Sequence, residues 1–269
     1  PPSATALNER AALLVSARRF AEAAADFEQL AALEPDNVLH RLNRAVALAG
    51  AGESDAALAG LNELLEQNPA LAPALVQRGL LFAARGDLDA AMADYDAAIA
   101  AEPAAAAYHA RGNAHMMLGK VRSALADFNN ALAAEPANLG FRESRAAALA
   151  ADAQFELALA DLSEAIRIDP TAENHFARAL VHAQLSHHAA AAADLDLVLQ
   201  IDRTHPAAYL NRGLARMELG DVGGAMSDFD QAVLRLPESA AAFTARGIAW
   251  AERDRLDLAI ADYGQAAAL

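Results

Sequence analysis

The feature that most constrains the fold of this chain is an internal repeat marked by aspartate. Each aspartate is followed by a bulky residue and an apolar run. We call the position of this aspartate the slot, and successive slots lie 33 or 34 residues apart along the whole chain. Seven slots hold an aspartate and one holds a glycine in its place: Asp26, Gly60, Asp94, Asp127, Asp161, Asp194, Asp228 and Asp262. A fixed period of this length predicts a solenoid, in which short units stack and bury a continuous core.

Proline keeps the same period. It falls nine residues after the slot in six of the copies, and Arg203 stands there in a seventh. Together the two markers divide a single predicted domain, residues 1–269, into eight units. The units are approximately 4–37, 38–71, 72–104, 105–138, 139–171, 172–205, 206–239 and 240–269.

Each unit has the pattern of a helical hairpin. In the third unit, Leu75, Arg78 and Phe82 recur at intervals of three and four, which places them on or beside one face of a first helix. Gly86 interrupts this helix at a turn. The same periodicity then resumes and predicts a second helix that ends at Pro103.

The repeated pattern resembles the tetratricopeptide repeat, which has a large, a small and a second large residue, then Ala-x3-aromatic and a closing proline. In the fourth unit these residues are Tyr108, Gly112, His115, Ala124, Phe128 and Pro136. Leu61, Leu162 and Leu195 occupy the aromatic site in other units. The resemblance covers nearly the whole chain. It implies an all-α, right-handed superhelical solenoid whose first helices line a concave groove that holds other proteins or peptides.

An arginine stands inside the apolar stripe of every first helix, sixteen residues before the aspartate slot. The arginines are Arg10, Arg44, Arg78, Arg111, Arg145, Arg178, Arg212 and Arg246. A partly buried guanidinium needs acceptors, and the aspartate of the paired helix can supply them. We therefore predict a ladder of structural Arg–Asp pairs, in which Gly60 leaves Arg44 without the usual partner.

The sequence gives no sign of catalytic or metal-binding chemistry, so we expect no enzyme, no cofactor and no metal site. The chain has no cysteine. Doublets such as Asp94 and Asp96 are two residues apart, so they point to different sides of a helix. His115, His175 and His182 fill positions that are apolar elsewhere, which favours packed rings. The adjacent pair at 187–188 lacks the further ligands of a strong site.

Charge limits the choice of partner. The formal net charge is -15, which repels nucleic acid and favours a basic or neutral protein. Lys120 is the only lysine, so the lysine-rich carboxylate clamp of chaperone-binding family members cannot form. No signal peptide and no uncharged run long enough for a membrane span is visible, so we expect a soluble chain without membrane insertion. The cellular compartment stays open.

The family geometry assigns a set of first-helix residues to the inner wall of the groove. We call them the stripe residues: Leu42, Val46, Val76, Leu80, His109, Asn113, Met116, Met117, Phe176, Leu180, Leu210, Leu214, Met217 and Ile248. Most are apolar, so the stripe suits an apolar extended segment or an amphipathic helix. The same residues could instead pack between neighbouring first helices, and both alternatives stay open.

The last predicted helix carries apolar residues that no further repeat covers, namely Leu256, Leu258, Ile260 and Tyr263. Solenoids usually end in a polar cap. We expect either a fragment of a longer protein or contact with a second copy, and the start at Pro1 and Pro2 favours a fragment. Two further hypotheses are a self-assembling scaffold and a regulatory or targeting segment of a larger enzyme.

Overall fold

The computed structural model describes residues 3–269, and the interpretation of Pro1 and Pro2 lies outside this range. Within it the chain forms sixteen α-helices and no β-strand. The predicted all-α fold of eight helix–turn–helix repeats is confirmed. The helices lie in two compact units, which meet in sequence at Ala137 and Asn138.

Each unit contains four helix pairs, and each predicted repeat range contains one pair. The helices of the first unit are α1 (Ala4–Ser16), α2 (Phe20–Leu33), α3 (Val38–Gly50), α4 (Ser54–Gln67), α5 (Ala72–Ala84), α6 (Leu88–Ala101), α7 (Ala105–Met117) and α8 (Val121–Ala134). Those of the second unit are α9 (Leu139–Ala151), α10 (Phe155–Ile168), α11 (Ala172–Gln184), α12 (His188–Ile201), α13 (Ala208–Glu218), α14 (Val222–Arg235), α15 (Ala240–Glu252) and α16 (Leu256–Ala268). That they form a single domain stays a prediction.

Local sequence sets the helix boundaries. Side chains such as Asn37 and Thr171 accept a hydrogen bond from a backbone N–H in the first turn of the following helix. The turn inside each hairpin contains one residue with positive φ, for which glycine is the least strained choice. Gly86 takes this position at φ 82°, whereas Ser186 takes it at φ 58° in the unit where histidines follow the turn.

The two helices of a pair approach closely where their facing residues are matched in size. A Cβ atom on Gly112 would lie 2.5 Å from Cε1 of Phe128, so only glycine leaves room for that ring. Where leucine replaces the aromatic residue, alanine replaces the glycine, as in Ala146 and Leu162. These matched pairs lie in the core and explain why leucine is accepted at the aromatic site.

Candidate protein-binding surface

The predicted ladder of ion pairs is present in seven of the eight repeats, where it bonds the first helix to the second helix. In the third repeat, Nε of Arg78 donates to Oδ2 of Asp94 over 2.8 Å, and its second terminal nitrogen donates to Oδ1 over 2.7 Å. The aspartate is buried while the arginine is partly exposed. The other pairs are Arg10–Asp26, Arg111–Asp127, Arg145–Asp161, Arg178–Asp194, Arg212–Asp228 and Arg246–Asp262.

In five of these repeats the remaining guanidinium nitrogen contacts the preceding repeat, a contact that was not predicted from the sequence. Nη1 of Arg111 donates to Oδ1 of Asp96 over 2.6 Å. The same contact joins Arg78 to Asn62, Arg178 to Ser163, Arg212 to Asp196 and Arg246 to Asp230. Each aspartate of a doublet therefore binds a different arginine, and the doublets link consecutive repeats instead of forming a pair that could act on a substrate.

Arg44 is the exception, as the missing carboxylate at Gly60 predicts. Within residues 3–269 its one ionic contact is to Oε1 of Glu28 in the preceding repeat, at 3.4 Å. This is longer than the contacts of the other ladder arginines. The second repeat therefore lacks the two-pronged bond that joins the first and second helices elsewhere.

Pairing within the ladder shifts the pKa values of Arg78 and Asp194. A side-chain hydrogen bond from Arg78 to Asp94 raises the pKa of that guanidinium above its usual value. Burial opposes ionisation of Asp194, but hydrogen bonds from Arg178 and His175 together outweigh it and hold the pKa of that carboxyl below its usual value. Asp194 is thus ionised and paired at neutral pH, which makes it a structural group.

The predicted histidine packing agrees with the structure. His175 is buried and its Nδ1 lies 3.0 Å from Oδ1 of Asp194. His115 and His182 are partly buried, and burial lowers the pKa of each ring below its usual value. Each has an Nδ1 atom that is buried without a hydrogen bond inside residues 3–269. The rings of His115 and His182 fill space in the helix pairs as neutral groups at neutral pH.

The stripe residues differ widely in exposure. Leu42 and Val76 are buried and belong to the core of the first unit. An intermediate group is His109, Met116, Phe176, Leu210 and Met217. The exposed residues are Val46, Leu80, Asn113, Met117, Leu180, Leu214 and Ile248. Whether any of them contacts a partner stays a prediction.

Exposure within the stripe depends on the position in the helix. Leu180, Leu214 and Ile248 each come two residues after their ladder arginine, and they are 38%, 44% and 44% exposed. Phe176 and Leu210, each two residues before the arginine, are more covered. Since α11 contacts α13 and α13 contacts α15, the more exposed position forms a row of side chains across adjacent first helices. We call Leu180, Leu214 and Ile248 the second-unit row.

A cavity of about 390 Å³ opens between α9 and α11 in the same unit. Its wall is mainly apolar and includes Ala147, Leu162 and Leu180, while Glu143 and Glu173 supply carboxylates. The sequence analysis did not identify Ala147, Glu143 or Glu173 as site residues. The available signal was the small side chain of Ala147 at a position that is leucine or isoleucine in the three following repeats.

The outer face of α16 is apolar and exposed. Ile260 is 71% exposed, and Leu256 and Tyr263 are exposed as well, whereas Leu258 is partly covered. In the preceding repeat the residue equivalent to Tyr263 is Phe229, which is fully buried. The face therefore has the chemistry of an internal repeat junction.

Two other kinds of feature are absent from residues 3–269. That range contains no group of three or more His, Asp or Glu side chains arranged to hold a metal ion. Nor does it contain a helix with the length and apolar character that crossing a membrane requires.

These observations define the class of protein. It is an α-helical repeat protein whose hairpins are joined by ion pairs to buried aspartates and whose first helices present an apolar surface. Models of the tetratricopeptide repeat match residues 8–72, 76–121 and 210–268, and a second such model matches residues 105–138. The chain belongs to the tetratricopeptide repeat family. No curated protein sequence matches it significantly.

Solved structures share this fold at low sequence identity. YrrB, described as a TPR protein with an unusual peptide-binding site, is 24% identical with a TM-score of 0.62, and the match covers 69% of this chain and 97% of YrrB. PilF of Pseudomonas aeruginosa is 19% identical with a TM-score of 0.62, over 71% of this chain and 88% of PilF. The C-terminal part of a TPR protein from Cytophaga hutchinsonii is 16% identical with a TM-score of 0.67, over 85% and 95%.

Proposed function

We propose that this chain is a non-catalytic scaffold that binds a peptide or a segment of another protein along its exposed stripe residues. The observation that carries the proposal is the second-unit row, in which aliphatic side chains on adjacent first helices are exposed. Apolar side chains that line up on a surface mark interaction sites more often than scattered ones do. YrrB, which shares the fold, is described as having a peptide-binding site.

The ladder supports this role physically. On the first helices of the second-unit row, Arg178, Arg212 and Arg246 each bond the second helix of their own repeat and that of the preceding repeat, so the row is held in place before a partner arrives. A preformed surface loses little conformational entropy on binding, and more of the interaction energy appears as affinity. The net charge of -15 favours a partner that is apolar or basic.

An unbiased pull-down tests this proposal. The native chain is compared with Leu80→Glu and Leu214→Glu, which place a charge on the stripe. Leu157→Glu is the matched control because Leu157 is also exposed but lies on the second helix α10. We expect partners that the native chain and the control retain and that at least one stripe variant loses. Equal retention by all four proteins would refute the stripe as the binding surface.

A second candidate is self-association through α16, which the exposed face of Leu256, Ile260 and Tyr263 favours. Burying this face against a second copy would remove apolar area from water at each contact. Light scattering over a concentration series tests the idea. Growth of the mass with concentration that Ile260→Glu abolishes would support it, and a monomer at high concentration would remove it.

A further inference from the structure

The second-unit row has a gap at its first position. Leu180, Leu214 and Ile248 occupy equivalent places in α11, α13 and α15, and the equivalent residue in α9 is Ala147. Ala147 is exposed, but its side chain ends at Cβ. Where the other first helices of the second unit present a branched side chain, α9 presents only a methyl group, so a partner can approach the backbone more closely there.

The cavity between α9 and α11 lies at this gap. Ala147 and Ala150 from α9 line it, with Leu180 from α11 and the core residue Leu162 at its wall. Its volume of about 390 Å³ is in the range of pockets that enclose organic groups. An aliphatic or aromatic side chain that entered it would leave water and contact apolar atoms, which is favourable.

Two carboxylates stand beside the apolar wall. Glu143 of α9 and Glu173 of α11 both line the cavity. Unlike the ladder aspartates, neither forms an ion pair with any residue in the described range. Two unpaired carboxylates beside an apolar cavity attract a cation and repel an acidic segment.

We propose that this cavity is the subsite that gives the binding surface its sequence preference. It takes one bulky apolar side chain of the bound segment, and a lysine or arginine adjacent to that side chain pairs with Glu143 and Glu173. The inference rests on the proposed function, because it assumes that a segment lies along the second-unit row. It adds that this segment must contain a bulky apolar residue with a lysine or arginine next to it.

An array of immobilised random short peptides provides the probe. The native chain is compared with Ala147→Leu, which fills the cavity, with Glu143→Gln/Glu173→Gln, which removes the charges, and with Leu214→Glu. Ala160→Leu and Glu156→Gln make the same changes at exposed sites on α10 and serve as controls. Thermal unfolding confirms that every variant is folded.

We expect the native chain and the controls to select peptides in which a bulky apolar residue is next to lysine or arginine. In solution, Ala147→Leu weakens binding of a selected peptide by about tenfold or more, as expected for the loss of an anchoring side chain. The double glutamine variant weakens it by a smaller factor and removes the preference for the basic residue.

The outcomes separate this inference from the proposed function. Peptides that Leu214→Glu loses, but that Ala147→Leu and the double glutamine variant bind as the native chain does, overturn the subsite and leave the function standing. Peptides that Leu214→Glu also retains, or the absence of any selected peptide, overturn both.

Discussion

The arginine at the centre of each first helix does more than neutralise one buried carboxylate. Arg246 bonds Asp262 in its own repeat and Asp230 in the preceding one. Removing the arginine would leave a buried carboxylate unpaired, which costs several kcal/mol in proteins. The acceptors two residues after the slot are Glu28, Asn62, Asp96, Ser163, Asp196 and Asp230. All can accept a hydrogen bond, so the sequence held a signal for the contact between repeats.

Gly60→Asp is predicted to complete the ladder. A Cβ on Gly60 meets only the Cβ of Ala45, at 3.9 Å, so the side chain has room. The new carboxylate would pair with Arg44, and the helix would lose a glycine, which together should stabilise the fold by about 1–2 kcal/mol. Urea unfolding measures the change.

Arg44→Met is the control for this prediction. It should cost more stability in the Gly60→Asp background than in the native chain, because only there does it break a two-pronged pair. Gly60→Ala separates the gain in helix propensity from the ion pair. An equal cost of Arg44→Met in both backgrounds would show that no pair forms.

Stability is predicted to fall as the pH drops below about 6.5, the usual histidine pKa. Burial lowers the pKa values of His115 and His182 in the folded chain. The unfolded chain therefore takes up protons first, and the contribution of each neutral ring is lost as the pH falls through its folded pKa. His115→Leu/His182→Leu should show a smaller loss between about pH 7 and pH 5 in denaturant titrations. An unchanged pH dependence would contradict the assignment.

At the scale of the helix pair, size matching between facing residues controls how closely two helices approach. Gly79 faces Tyr95 and Gly213 faces Phe229, and a Cβ on either glycine would lie 2.5 Å from a ring carbon. The ring of Tyr95 is buried deeply enough that burial, with the nearby charge of Asp94, raises the pKa of its phenol to about 12. Neither partner of such a pair can change alone without cost.

Gly112→Ala is therefore predicted to destabilise the chain by about 1–3 kcal/mol, since the new methyl group overlaps the ring of Phe128. In a Phe128→Leu background the same change should cost much less, because it recreates the alanine–leucine pair of Ala146 and Leu162. Thermal or urea unfolding of the four proteins gives the coupling energy. Additive effects would contradict size matching.

The sequence was sufficient to predict the helices but not to predict which of their faces are exposed. Eight copies of one pattern averaged out local ambiguity, so helix type and pairing followed from periodicity. Leu42 and Leu180 were both assigned to the groove wall, yet one is buried and the other exposed. Which of two neighbouring positions is covered depends on how adjacent first helices pack, and spacing along one helix does not contain that information. The cavity beside Ala147 was missed because it is made by an absent side chain.

Over the whole molecule, the acidic surface is predicted to make binding of a basic segment sensitive to salt. Charges outside the contact steer association, and salt screens them over about 10 Å at 0.1 M. The association rate for a basic peptide should fall as salt is raised from about 0.05 M to about 0.5 M, with a smaller effect on dissociation. Surface plasmon resonance measures both rates. Rates that do not respond to salt would argue against a basic partner.

The central claim is that partners contact the exposed stripe on the first helices. Photo-crosslinking from single sites tests it most directly, with a benzophenone amino acid placed at Leu80, Leu214 or Leu157. We expect crosslinks to a bound partner from Leu214 or Leu80 and none from Leu157, which lies on a second helix. Crosslinks from Leu157 with none from either stripe position would contradict it.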